Sequence, residues 1–161
     1  LFKNQIGVKQ DTITSFSKKI SLVKKVKNSD DFLLAARIES FILGKGLKDA
    51  LQRANAYSKS GADLIMIHSK SEKPDEIFRF SKIFSKSKLA KPIIAVPSTY
   101  SKTYEKDLIK NGIKIVIYAN HMMRSSYPSM INTANSILKN QRAYESEKNI
   151  STVKEMIELI K

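Results

Sequence analysis

Apolar positions along the chain alternate between two patterns, helical stripes and short unbroken runs. Ile13, Phe16, Ile20, Val23 and Val26 recur at helical spacing. This predicts an amphipathic helix with Asp11 or Thr12 as its cap. Asn28-Ser29-Asp30 breaks it. The run from Phe32 to Ala36 ends in Arg37 and suits a strand buried on both faces, as in a parallel sheet. A helix is predicted over 47–59, with Ala50, Leu51, Ala54 and Tyr57 on one side. Ser60-Gly61-Ala62-Asp63 then turns the chain into the run 64–67, which ends at His68. Pro74, Asp75 and Glu76 open the next helix, because proline fits a first turn and acids favour a helix N-terminus. Ile77, Phe80 and Phe84 mark its buried face. The run 93–96 is closed by Pro97-Ser98, and a short helix over 104–110 stops at Asn111-Gly112. The run 113–118 is the most strand-like in the chain, and Ala119-Asn120-His121 follow it. A helix over 126–138 presents Met130, Ala134, Ile137 and Leu138. Residues 139–150 are polar and read as a linker, and Ser151 caps a last helix carrying Val153, Met156, Ile157 and Ile160.

The order is one helix, four strand–helix units and a final helix. Such alternation argues for a parallel sheet with right-handed crossovers. Two α/β architectures fit, an open doubly wound sheet or part of a (β/α)₈ barrel. A whole barrel takes about 250 residues and eight strands. A chain of 161 residues with four predicted strands corresponds to half of one.

Every predicted strand ends in polar or special residues: Arg37 and Glu39, His68 and Ser69, Pro97 and Ser98, Asn120 and His121. Strand C-termini of a parallel sheet or barrel share one rim, where sites are built. Residues distant in sequence therefore converge there. Arg37 offers a fixed fork of donors suited to carboxylate or phosphate, or else forms an ion pair with Glu39. His68 is a hydrogen-bonding rim group near neutral pH and, when protonated, a second cation. Asn120 and His121 are read first as residues that tie down a loop. Gly44-Lys45-Gly46 lacks the surrounding pattern of a phosphate loop and reads as a turn opening the helix at Leu47. No set of carboxylates in the sequence suits a hard divalent cation.

Charge changes this picture little. The net charge of +14 is carried mostly by lysines spread along the chain on solvated helix faces. Nucleic-acid readers usually cluster their basic residues and interleave aromatics, so neither a nucleic acid nor a membrane is the expected partner. A general pull on anionic substrates is compatible with the charge. No apolar run approaches the roughly 20 residues that span a bilayer. The N-terminus has no signal-like apolar core. Absence of cysteine removes disulfides and thiolate metal sites and fits the cytoplasm.

Four segments carry a resemblance: DFLLAARIES (31–40), LGKGLKDALQRANAYSKSGADLIMIHSK (43–70), KPIIAVPSTY (91–100) and GIKIVIYANHMMRS (112–125). In order and spacing, across 1–139, the chain resembles phosphoenolpyruvate mutases of the isocitrate lyase superfamily. AARIES and MIHSK are similar to the phosphonate-forming branch, where the carbon–carbon lyases carry an ARTDA-like strand end. The resemblance implies the C-terminal half of a (β/α)₈ barrel, strands five to eight with their helices. Residues 140–150 would be a linker, and 151–161 a terminal helix exchanged between subunits of a homo-oligomer.

The reaction implied is rearrangement of phosphoenolpyruvate to phosphonopyruvate with magnesium. Arg37 and His68 match the family's phosphoryl-binding arginine and histidine. Ser69 and Asn120 match rim positions with substrate-binding character, and Arg124 matches a further one. The family's magnesium ligands, its nucleophilic aspartate and its mobile loop precede the matched region. Lys3 and Asn4 fall slightly beyond that loop's lysine and asparagine. The resemblance thus implies a missing N-terminal half as partner and no confident catalytic group in this half. Phosphonopyruvate hydrolase is the nearest alternative. A non-catalytic basic module and a fragment of a decayed or split gene are the others.

Overall fold

The computed structural model describes residues 9–160, so Lys3 and Asn4 lie outside the described residues. Two compact units divide the chain, Leu1–Ala119 and Asn120–Lys161.

The first unit opens with α1 (Ile13–Val26), and its cap is Thr12, whose side-chain oxygen accepts the Ser15 amide at 3.1 Å. Asp11 braces the same turn by accepting from the Thr12 amide and the Lys19 ammonium. Four strands alternate with helices from there: β1 (Ala35–Ile38), α2 (Gly46–Lys59), β2 (Leu64–Ile67), α3 (Asp75–Phe84), β3 (Ile93–Ala95), α4 (Glu105–Lys110) and β4 (Ile113–Val116). All neighbouring pairs are parallel, in the order β1-β2-β3-β4. A doubly wound sheet needs a point where strand order reverses. The order here never reverses, which is how consecutive βα units of a barrel are laid down.

The register gives the sheet two distinct faces. Ala36, Ile38, Ile65, Ile67, Ile93 and Ala95 lie on the face packed by helices and are almost wholly buried. Ala50, Ala54 and Tyr57 of α2 and Ile77, Phe80 and Phe84 of α3 complete that core. The small alanines let α2 sit close to the sheet. The stacked pair Phe80–Phe84 and the edge-on pair Phe41–Phe80 fill the wider gap above α3. Burying each such ring contributes roughly 1.5–3 kcal/mol. The opposite face carries Arg37, Met66, Ile94 and Ile115 in adjacent register.

Two strand ends are held by side chains. Asp63 accepts the Leu34 amide at 2.9 Å and pairs with Lys27, whose side chain is nearly buried. The Leu34 hydrogen bond leads in holding the Asp63 carboxyl below its ordinary pKa, with help from Lys24 and Lys27. Gly61 has a positive φ of 110°, and a Cβ there would meet the Lys24 side chain at 2.9 Å. Glycine is therefore required where α1 passes the turn into β2.

Several boundaries differ from the sequence expectation. The first strand begins at Ala35 rather than Phe32, and Phe32 and Leu33 are each 56% exposed. Pairing with β2 selects 35–38, and the Asp63 carboxylate takes the Leu34 amide before the ladder begins. Arg37 thus lies inside the strand, not after it. The third and fourth strands stop at Ala95 and Val116, short of the predicted 96 and 118. Gly44-Lys45-Gly46 is a turn into α2, with Gly44 at φ 68°.

In the second unit, α5 spans His121–Asn140, starting five residues before the predicted Ser126 and containing Pro128. Pro128 lies past the first turn of α5, so it removes the amide that would meet the Arg124 carbonyl but leaves the donors of the residues before it in place. The first turn here is closed by the Arg124 amide donating to the Asn120 carbonyl. A short helix, α6 (Tyr144–Glu147), lies within the segment read as linker. The last helix, α7 (Val153–Glu158), is capped by Thr152, not Ser151, in a reciprocal capping box with Glu155. Among the described residues no helix is long and apolar enough to cross a membrane.

Candidate anion-binding site

Strand pairing brings the first two candidates together. Arg37 stands opposite Met66 on the open face. Period-two alternation puts Glu39 two residues beyond Arg37 and His68 two beyond Met66, on that same face. The two strand ends thus place an arginine, a carboxylate and an imidazole side by side. Arg37 donates from Nε to Glu39 Oε1. Among the described residues its two Nη amines make no hydrogen bond. The Arg37 side chain is 53% exposed, against 28% for Glu39. Both line a cavity of about 260 Å³ with Gln10, Asp11, Phe16 and Tyr57.

His68 is half-buried, and its pKa is held below the ordinary value. Burial is the main cause; the Arg37 charge adds to it and the Glu39 carboxylate opposes it. At neutral pH the ring is therefore a neutral hydrogen-bonding group beside a permanent cation. An oxyanion arriving at Arg37 would reverse the local charge and favour the imidazolium.

Ser69 follows His68 just beyond the end of β2. It is buried, and its hydroxyl donates to Glu76 on α3 while accepting the Ser71 amide at 3.0 Å. Its carbonyl accepts from the Thr99 hydroxyl at 3.1 Å. These bonds hold the turn after His68 against α3 and the loop after β3. Asn120 belongs to the second unit, where it precedes α5 without a side-chain capping bond.

Sequence reasoning missed a network behind the rim. Arg53 of α2 is nearly buried. Its Nε donates to Asp49 at 3.0 Å, and its Nη1 donates to the Asp11 carbonyl and the Tyr57 hydroxyl, both at 2.8 Å. Ser40, just past β1, donates to the same Asp49 oxygen at 2.6 Å. The Asp49 carboxyl lies below its usual pKa: burial pushes it up, but the bonds from Ser40 and Arg53 more than offset that. The signal was present in the sequence, since Asp49, Arg53 and Tyr57 recur every four residues.

A parallel βα array in unbroken strand order, with polar side chains gathered at its strand ends, is the layout of part of a (β/α)₈ barrel. The model of the phosphoenolpyruvate phosphomutase family matches residues 4–138, and the chain belongs to that family. Phosphoenolpyruvate phosphomutase of Tetrahymena pyriformis is 38% identical over 147 residues, 91% of this chain and 48% of that protein. The crystal structure of phosphoenolpyruvate phosphomutase from Streptomyces platensis subsp. rosaceus superposes with a TM-score of 0.87 at 32% identity, covering 94% of this chain and 52% of that one. A phosphonopyruvate hydrolase solved in complex with oxalate and Mg²⁺ is similar at a TM-score of 0.85 and 33% identity, over 92% of this chain and 52% of that one. The chain thus spans about half the length of the relatives it matches, and its fold is half of a (β/α)₈ barrel.

The magnesium that the family implies finds no fitting donor set here. Among the described residues no three of His, Cys, Asp and Glu gather where they could hold a metal ion. The rim carboxylates Glu39 and Glu76 are already engaged by Arg37 and Ser69.

Proposed function

We propose that this chain supplies the phosphoryl-binding half of a phosphoenolpyruvate phosphomutase, an isomerase that interconverts phosphoenolpyruvate and phosphonopyruvate in phosphonate biosynthesis. The observation that carries this reading is Arg37, whose Nη amines are unengaged among the described residues, on the open face beside His68. Preorganised donors aimed at a migrating, highly charged group are the main contribution a protein makes to phosphoryl transfer. In this reading Arg37 grips the phosphoryl or phosphonate oxygens through its Nη pair, and His68 donates to the same group from the neighbouring strand. Ser69 holds the turn that aims His68.

Residues 1–139 act as the barrel half, 140–150 as a connector and 151–161 as a terminal helix that exchanges between subunits of a homo-oligomer. Magnesium and the group that receives phosphoryl come from an N-terminal half of the barrel, and the complete enzyme works in the cytoplasm.

Phosphorus NMR with phosphonopyruvate and magnesium tests the proposal, on this chain alone and with an N-terminal half supplied. Phosphoenolpyruvate appearing only with both halves is the expected result. Inorganic phosphate in its place would make the enzyme a hydrolase, the reaction named for a relative of similar likeness. No turnover by a folded pair of halves would overturn the enzymatic reading.

A further inference from the structure

We propose that Glu39 is a positioning residue: it holds Arg37 by the Nε edge, so that the paired Nη amines are the edge presented to an incoming oxyanion. The inference rests on the reading of Arg37 as an anion-binding group and adds a second residue to it. Three observations carry it. Arg37 lies in β1 and Glu39 directly follows the strand's last residue, two positions on, where extended alternation keeps the two on one side. Their contact uses Nε alone and leaves both Nη amines without a hydrogen bond among the described residues. Both residues line the same cavity, together with Gln10, Asp11, Phe16 and Tyr57.

An arginine side chain has many rotamers of similar energy, and fixing it for a ligand costs affinity. A carboxylate on the Nε edge removes most of that freedom before the ligand arrives. The guanidinium plane is rigid, so fixing one edge fixes the other. The same carboxylate opposes an approaching anion by charge. Glu39 therefore both aims the donor pair and weakens the general pull of the site, which favours ligands that match the two amines over those that are merely negative. An Arg–Glu pair this exposed contributes little to stability, which leaves aim as its main effect.

The test compares Glu39→Gln, which keeps an acceptor and loses the charge, with Glu39→Ala, which loses both. Nitrogen-15 NMR of the full chain reads the Arg37 Nε–H, and titration with phosphonopyruvate reads affinity. The Nε–H is expected to be protected from exchange in the unaltered chain and in Glu39→Gln, and exposed in Glu39→Ala. Glu39→Gln should bind phosphonopyruvate as tightly as the unaltered chain or more so, and Glu39→Ala at least about tenfold more weakly than Glu39→Gln.

Equal binding by the two variants would overturn the proposal, since Glu39 would then act by charge alone. Unchanged Nε–H protection in Glu39→Ala would overturn it too. A third readout is the titration of His68, one of only two histidines in the chain. Its midpoint should fall in both variants, because the carboxylate that raises it is gone while Arg37 remains. No phosphonopyruvate binding by the unaltered chain would sink the anion reading of Arg37 itself. The Nε–H signals would still decide whether Glu39 holds the guanidinium.

Discussion

Two arginines in this molecule each pair with a carboxylate, and the two pairs behave as opposites. Arg53 sits behind the sheet with its side chain only 5% exposed. It joins α2 to the start of α1 through Asp49, Tyr57 and the Asp11 carbonyl. Arg37 sits on the open face with one bond from Nε and, among the described residues, both Nη amines unengaged. Burial demands that a charge be partnered, so Arg53 spends its Nε and Nη1 within the fold and shows little surface to a ligand. Exposure relaxes that demand, and Arg37 keeps a donor pair in reserve. The comparison teaches that the number of donors left unengaged, rather than the presence of a salt bridge, separates a structural arginine from a binding one.

The largest expected effect is on the buried member. Arg53→Met leaves Asp49 without its cation and should cost about 3–5 kcal/mol in urea unfolding. Arg37→Met should cost less than about 1 kcal/mol, because that pair is exposed. Equal costs would break the comparison. Ser69→Ala comes next: it removes the partner of Glu76 and of the Ser71 amide and should destabilise by about 1–3 kcal/mol. A cost near zero would release Ser69 from its structural part and return it to the ligand.

Arg37→Lys keeps the charge and loses the two-pronged donor. In a complete enzyme it should lower activity at least about tenfold, equivalent to roughly 1.4 kcal/mol in the barrier. Undiminished activity would remove Arg37 from the site. The smallest effect is that of pH through His68. Its folded pKa lies below the ordinary histidine value of about 6.5, so the unfolded chain binds more protons between the two values. The stability it contributes is complete above about 6.5 and is lost as pH falls through the lower folded value. His68→Gln should flatten that slope, and a slope of the opposite sign would mean the ring is charged in the folded state.

Much of the fold was legible in the sequence because burial writes a period into it. The helices over 13–26, 46–59 and 75–84 carry apolar residues every three or four positions, and each lies where the period placed it. The strands were visible as apolar runs and their ends as clusters of polar residues. Strand limits were not visible, because an apolar residue before a strand looks the same as one within it. Phe32 and Leu33 satisfy the pattern but lie outside the ladder. The start of the long helix after the fourth strand was not visible either: the pattern placed it at 126, whereas α5 begins at His121.

At the candidate site, residue type marked Arg37, His68 and Ser69, but it did not separate their parts. That separation depends on partners far along the chain: Glu76 for the Ser69 hydroxyl, and parallel register for the nearness of Arg37 and His68. By itself the sequence determined the alternation of helix and strand, the apolar face of each helix and the chemistry available at the strand ends. These follow from local periodicity and side-chain type. Only the tertiary structure decided that strand order never reverses, that Arg53 is buried with Nε and Nη1 engaged, and that Arg37, among the described residues, is held by Nε alone. Strand order and donor engagement are contacts between segments tens of residues apart, and no local pattern encodes which of two similar side chains will find its partners.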